Sequence, residues 1–244
     1  MGDALRCYRP VRAPSARLIC FPHGGSGPAF YRTWADLVPP DVEISVAAYP
    51  GRQERLAEPP ATTVDRLVEP VVAELRDVGP VALFGHSMGA VVAYEVAHRL
   101  VETGRTPVAL FVSAHRPPHR LGERTERPDA ELAALLRHLG GVDPVLLDDP
   151  ELVDLVLDPL RTDHRLMTRY QPTRRGPLPV PVVGYAGADD PLVDPADLAG
   201  WADLTSAGAC VRVWPGDHFY LVPQAARLLA DMTARLRADE EVIA

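Results

Sequence analysis

The chain of 244 residues carries a net charge of −8, with 47% hydrophobic and 24% charged residues, which suits one large α/β domain with a buried core. The acidic balance argues against a general nucleic-acid binder, whose affinity comes from basic surface meeting phosphate. All 25 basic residues are arginine, so a Schiff-base lysine, a Ser-Lys dyad and a Walker A lysine are excluded. No apolar run approaches the ~20 residues that span a bilayer. The start, Met1-Gly2-Asp3-Ala4-Leu5-Arg6, lacks the basic-then-apolar order of a signal peptide. The expectation is a cytoplasmic protein without a membrane or nucleic-acid partner. Cys7, Cys20 and Cys210 are widely spaced, with no C-x-x-C, so neither a disulfide framework nor a metal site is indicated. Cys20 and Cys210 fall in apolar strand-like runs and are expected to be buried thiols.

In chain order, Arg17 to Phe21 reads as a short buried strand that ends at Pro22 and enters the glycine-dense turn His23-Gly24-Gly25-Ser26-Gly27. Alone, such a turn reads as a flexible connection; at a strand end it can also bring a backbone N–H against a ligand. Phe30 to Val38 predicts a short helix stopped by Pro39-Pro40. Val42 to Tyr49 predicts a strand closed by Pro50-Gly51. Thr63 to Val78 has apolar residues at helical spacing, with Thr62 or Thr63 as N-cap and Pro70 as a kink. The apolar run Val81-Ala82-Leu83-Phe84 leads into Gly85-His86-Ser87-Met88-Gly89 and then a helix-like segment from Ala90. A strand, a sharp turn and a helix would hold the Ser87 hydroxyl at the sheet edge, with small residues where the turn is strained and the helix packs close.

Val108 to Ala114 is apolar throughout, as a strand buried on both faces should be. Alternation of strands and helices to this point predicts a parallel, doubly wound sheet. From about 115 to 176 the rhythm breaks. Leu132, Leu135, Leu136 and Leu139 recur at i, i+3, i+4 and i+7 after Pro128-Asp129, and Leu152 to Leu160 forms a second apolar patch. This insertion reads as a helical lid above the site, or alternatively as helices packed permanently on the core. Val180 to Ala186 and Ala209 to Trp214 predict the last strands, and Pro223 to Arg237 a closing helix.

A serine hydroxyl needs a base to take its proton, a carboxylate to orient that base, and donors for the oxyanion. Of the 8 histidines, His218 alone follows the final strand on a Gly-Asp loop and is taken as base. His98, His115, His119, His138 and His164 read as surface or packing residues, and His86 is aimed away from its neighbour Ser87. Asp190 and Asp189 compete for the acid. Asp190, immediately before Pro191, ranks first, and Asp217 reads as a loop residue. The order Ser87, Asp190, His218 is that of α/β-hydrolases, with each residue at the carboxyl end of the sheet.

Four separated motifs, Phe21-Pro22-His23-Gly24-Gly25-Ser26, Tyr49-Pro50-Gly51-Arg52, Gly85-His86-Ser87-Met88-Gly89-Ala90 and Gly216-Asp217-His218-Phe219, resemble those of type II thioesterases of polyketide and nonribosomal peptide assembly lines. The resemblance runs from about Leu18 to about Leu236. The family commonly has Ala after the first-loop histidine, where this chain has Gly24. The resemblance implies an α/β-hydrolase fold and hydrolysis of acyl thioesters on the phosphopantetheine arm of a carrier protein. It also implies an acyl-Ser87 intermediate and an oxyanion held by the backbone N–H groups of Gly24 and Met88. No cofactor or metal is implied, since the pantetheine arm belongs to the partner, and a monomer is expected. Rival readings are a small-molecule carboxylesterase, an acyltransferase and, least favoured, a noncatalytic carrier-binding protein. Arg116, Arg120, Arg124 and Arg127 read first as a solvated basic face and second as a contact for the carrier or its phosphate.

Overall fold

The computed structural model describes residues 3–140, 144–149, 152–172 and 175–243; Met1, Gly2 and short stretches of the 115–176 insertion lie outside the described residues. The strands are β1 (Leu5–Cys7), β2 (Ala16–Phe21), β3 (Val42–Ala47), β4 (Ala82–His86), β5 (Ala109–Ser113), β6 (Val182–Gly187) and β7 (Ala209–Trp214). They form one sheet in the order β1-β3-β2-β4-β5-β6-β7. Every pairing is parallel except that of β1 with β3. This mostly parallel sheet wrapped by helices is the expected α/β-hydrolase architecture. The antiparallel edge strand β1 escaped the sequence reading because 3 residues are too few to display a period.

The central strands β4, β5 and β6 are buried at every position because both faces are covered. Ile19, Phe21, Leu83, Leu110 and Val112 point into a core shared with α2 (Asp65–Glu74) and α3 (Met88–Glu102). Their neighbours Leu18, Cys20, Phe84 and Phe111 point the opposite way, into a core with α1 (Trp34–Leu37) and α7 (Ala225–Ile243). Successive side chains thus serve two separate cores. Helix α3 lies deepest, buried from Met88 to His98, and is apolar there apart from Glu95 and His98 and the hydroxyl of Tyr94.

Several boundaries differ from the sequence reading. The segment Phe30 to Val38 is a 3-10 turn (Pro28–Tyr31) followed by α1 rather than one helix. Val64 is the N-cap of α2 and no side chain caps it; neither Thr62 nor Thr63 serves, and burial of Leu67, Val68 and Val71 supplies the stabilisation that a cap would have added. Cys20 is buried, but Cys210 is exposed. An apolar strand run signals membership of a sheet, not depth within it, and β7 is an edge strand with an exposed face.

The insertion contains α4 (Asp129–Leu139), α5 (Pro144–Asp148) and α6 (Val153–Arg169). Helix α4 follows Pro128 as expected and stops at Gly140, whose φ of 68° is left-handed. The apolar patch at Leu152 to Leu160 is the first half of the longer α6. Leu132, Ala133, Leu136, Leu147 and Leu157 form a small core of their own, distinct from the two that flank the sheet.

Candidate active site

The chain departs from β2 toward β3 on one side and returns through α2 to β4 on the other, with β2 and β4 hydrogen-bonded neighbours. Such a reversal opens a crevice at the carboxyl ends of the strands, where ligands bind in open α/β sheets. The loop after β2 carries Gly24 and the turn after β4 carries Ser87, so both border the crevice.

Ser87 is held at φ 53° and ψ −124°, directly before the first residue of α3. A left-handed non-glycine residue costs of order 1–3 kcal/mol, and here the surroundings enforce it. The Ser87 N–H donates to Ser113 O at 2.8 Å, tying the turn to β5. A Cβ on Gly85 would lie 2.1 Å from Gly89 O, and one on Gly89 would lie 2.0 Å from Phe21 O. Both glycines are therefore required by close backbone approach.

The loops after β6 and β7 are joined by two backbone bonds, Ala188 N–H to Trp214 O at 2.8 Å and Asp189 N–H to Gly216 O at 2.9 Å. This junction brings Asp190 Oδ2 to 2.9 Å from His218 Nδ1, with side-chain exposures of 0% and 3%. Asp190 Oδ1 accepts the Leu192 N–H, which fixes the carboxylate from its other side. Asp189 is exposed, and Asp217 accepts the Phe219 N–H within its own loop. Geometry thus separates the competing acids, and Asp190 is the one paired with His218.

The His218 ring lies among other aromatic groups, 5.0 Å from the His86 ring and 5.3 Å from that of Phe219. His86 is fully buried, with Nδ1 2.9 Å from Ser113 Oγ, which in turn lies 2.6 Å from the Tyr220 hydroxyl. Burial, reinforced by His218 and His23, holds its pKa well below the ordinary histidine value. His23 is pushed down to about 3 by burial, with His218 and Arg52 adding to the effect. Two neutral imidazoles therefore stand beside His218, and neither opposes a positive charge that forms on it. The His86 ring packs against that of His218. Of the remaining histidines, His98 is buried in α3, His119 and His138 are exposed, and His115 and His164 border the cavity.

Ser87, Met88, Gly24 and His218 all line one cavity of about 480 Å³. Its far wall is apolar and comes from the insertion: Leu132, Leu135, Leu136 and Leu139 of α4, with Val156, Leu160 and Met167 of α6. Among the described residues no protein acceptor takes the Gly24 or Met88 N–H; Met88 opens α3, where helical N–H groups are free and the helix dipole favours negative charge. The basic run divides. Arg116 pairs with Asp197 at 2.6 Å and Arg120 with Asp203 at 3.0 Å, whereas Arg124 donates to Tyr170 O and borders the cavity.

One part of the site was not foreseen. Asp163 of α6 and Arg52 form a buried bidentate pair, both N···O distances 2.6 Å, and Asp163 Oδ2 also accepts the Gly25 N–H at 2.8 Å. The signal lay in α6 itself, where Asp163 interrupts the apolar face of Val156, Leu160 and Met167 at helical spacing.

Comparison with known proteins gives the family. The thioesterase domain model matches residues 16–236. Thioesterase PikA5 of Streptomyces venezuelae is 36% identical over 241 residues, covering 96% of this chain and 86% of that protein. Among solved structures, the type II thioesterase BorB of the borrelidin biosynthetic cluster superposes with a TM-score of 0.86 at 35% identity, covering 95% of this chain and 97% of its own. RedJ, a thioesterase of the prodiginine pathway in Streptomyces coelicolor, gives a TM-score of 0.85 at 37% identity, covering 91% and 86%. With the domain match over residues 16–236, the shared fold and near-complete coverage, this chain belongs to the thioesterase family, as a type II thioesterase of the α/β-hydrolase fold.

Proposed function

We propose that the chain hydrolyses acyl groups from the phosphopantetheine arm of carrier proteins, clearing stalled or aberrant units from a polyketide or nonribosomal peptide assembly line. The observation that carries this reading is the buried Asp190–His218 pair at the wall of the same cavity that Ser87 borders. Asp190 orients His218 and stabilises its charged form; His218 removes the Ser87 proton, and the serine oxygen attacks the thioester carbonyl. The N–H groups of Gly24 and Met88 hold the oxyanion, Met88 with the helix dipole behind it. Collapse expels the pantetheine sulfur, a good leaving group with a thiol pKa of about 8.5, which takes the proton from His218 and departs as the thiol, leaving the imidazole neutral. Water activated by His218 then attacks the acyl-Ser87 ester and releases the acid. The acyl chain lies against the leucine-rich wall from α4 and α6, which makes the insertion the lid of a single domain. No resident cofactor or metal takes part in this sequence, and the acyl-carrying partner is a cytoplasmic carrier protein.

The test compares hydrolysis of acyl-carrier, acyl-pantetheine and simple ester substrates by the parent and by Ser87→Ala. The expected order is carrier first and simple ester last, with Ser87→Ala inactive on all. Equal turnover of simple esters would favour the carboxylesterase alternative, and an active Ser87→Ala would overturn the mechanism.

A further inference from the structure

The oxyanion loop does not hold its own shape. Between Pro22 and Gly27 it contains one backbone hydrogen bond, Ser26 N–H to His23 O, and its remaining ties come from elsewhere. Tyr49 donates its hydroxyl to Pro22 O at 3.2 Å, and Arg52 Nη1 donates to Ser26 O at 3.1 Å. Asp163, 138 residues along the chain, accepts the Gly25 N–H. Gly25 has φ 80°, and a Cβ there would press on Leu160 of α6 at 3.2 Å. The lid helix thus fits directly against the loop, and its one deeply buried acid, 3% exposed, is the acceptor that defines the Gly24-Gly25 segment. Arg52 neutralises that acid and, through Ser26 O, holds the next residue.

Buried charge is retained only where it is paired and hydrogen-bonded, and an apolar residue at position 163 would match the rest of this face of α6. We propose that Asp163 is a positioning residue for the oxyanion loop: through Gly25 it sets the direction of the Gly24 N–H, and Arg52 holds the carboxylate in place for that task. This rests on the serine mechanism proposed above, in which the Gly24 N–H holds the oxyanion. A consequence is that the loop is correctly shaped only while α6 is docked.

The experiment replaces the pair in two ways, neither of which leaves an unpaired charge. Arg52→Met/Asp163→Leu removes the pair and the Gly25 acceptor; Arg52→Met/Asp163→Asn removes the charges but keeps an acceptor oxygen for Gly25. On acyl-pantetheine, the first variant is expected to lose about 10²-fold in kcat, as misplacement of an oxyanion donor implies. Its KM should stay within about 3-fold, and the pH midpoint of kcat should not move, because a transition-state interaction alone is lost. The Asn variant should recover at least about 10-fold of that loss. Circular dichroism and thermal midpoints establish that both variants fold. A folded Met/Leu variant with parental kcat, a loss confined to KM, or a Met/Asn variant no better than Met/Leu would overturn the proposal. Failure of the underlying reading is separately visible, since Ser87→Ala would then retain activity in the same assay.

Discussion

Asp190 Oδ2 stands 2.9 Å from His218 Nδ1 with its side chain wholly buried, while Asp189, one residue earlier, is exposed. The two carboxylates differ in what they can do for an imidazole. Asp190→Asn keeps the shape but replaces a charged acceptor with an amide, which leaves the imidazolium without a counter-charge and favours the wrong tautomer. The expected loss is about 10³–10⁴-fold in kcat. Asp189→Asn, altering an exposed group without this contact, should stay within about 2-fold. Steady-state turnover of one thioester substrate by both variants checks the pair of outcomes.

The neutral histidines give the fold a defined acid sensitivity. The folded-state pKa of His86 lies well below the ordinary value, and that of His23 is about 3, so below about pH 6.5 the unfolded chain binds protons that the folded chain does not. Their stabilising contribution is complete above that pH and is lost as pH falls, each by up to about 1.4 kcal/mol per pH unit; for His23 the loss ends near pH 3. His86→Asn removes one such group. Between pH 7 and pH 5 its unfolding free energy should therefore fall less than that of the parent. Parallel urea titrations at the two pH values measure this, and identical pH dependences would contradict a neutral His86.

The cysteines differ in a way their sequence settings do not announce. Cys20, on β2, is fully buried in the core beneath α1 and α7, and burial raises its thiol pKa, whereas Cys210 is exposed on β7. Thiolate formation and access together govern thiol reactivity. Under native conditions a maleimide should label Cys210 quickly and Cys20 only after unfolding. Peptide mapping of the labelled protein distinguishes them.

What was legible in the sequence followed the range of the signal. Ser87 was visible because strand, turn and helix are contiguous, and His218 because its loop follows the last strand. Asp190 was ranked by position and separated from Asp189 only by the bonds that join the loops after β6 and β7. The contact of Asp163 with Arg52 spans 111 residues, and neither residue's neighbours state that the other exists. The depth of a strand, which misled the reading of Cys210, is likewise set by sheet order rather than by local pattern. The basic run from Arg116 to Arg127 is a unit only by adjacency: Arg116, Arg120 and Arg124 take separate partners in three dimensions.

The first loop offers a test of whether its glycines are needed for conformation or are merely small. A Cβ at Gly24 would meet Leu160 Cδ1 at 3.6 Å and Asp163 Cβ at 3.7 Å, ordinary van der Waals distances, whereas Gly25 has φ 80° and a Cβ would lie 3.2 Å from Leu160 Cβ. Gly24→Ala therefore restores the residue common in the family without a clash. It also restricts the unfolded chain, which should stabilise the protein by about 0.4–1 kcal/mol while preserving the backbone donor and hence kcat. Gly25→Ala forces a left-handed alanine against the lid helix and should destabilise by about 1–3 kcal/mol. Because it also moves the Gly25 N–H relative to Asp163, its kcat should fall even at temperatures where it remains folded. Thermal denaturation and turnover measured on both variants separate the two glycines; a Gly24→Ala protein as impaired as Gly25→Ala would mean that the loop requires glycine at both positions.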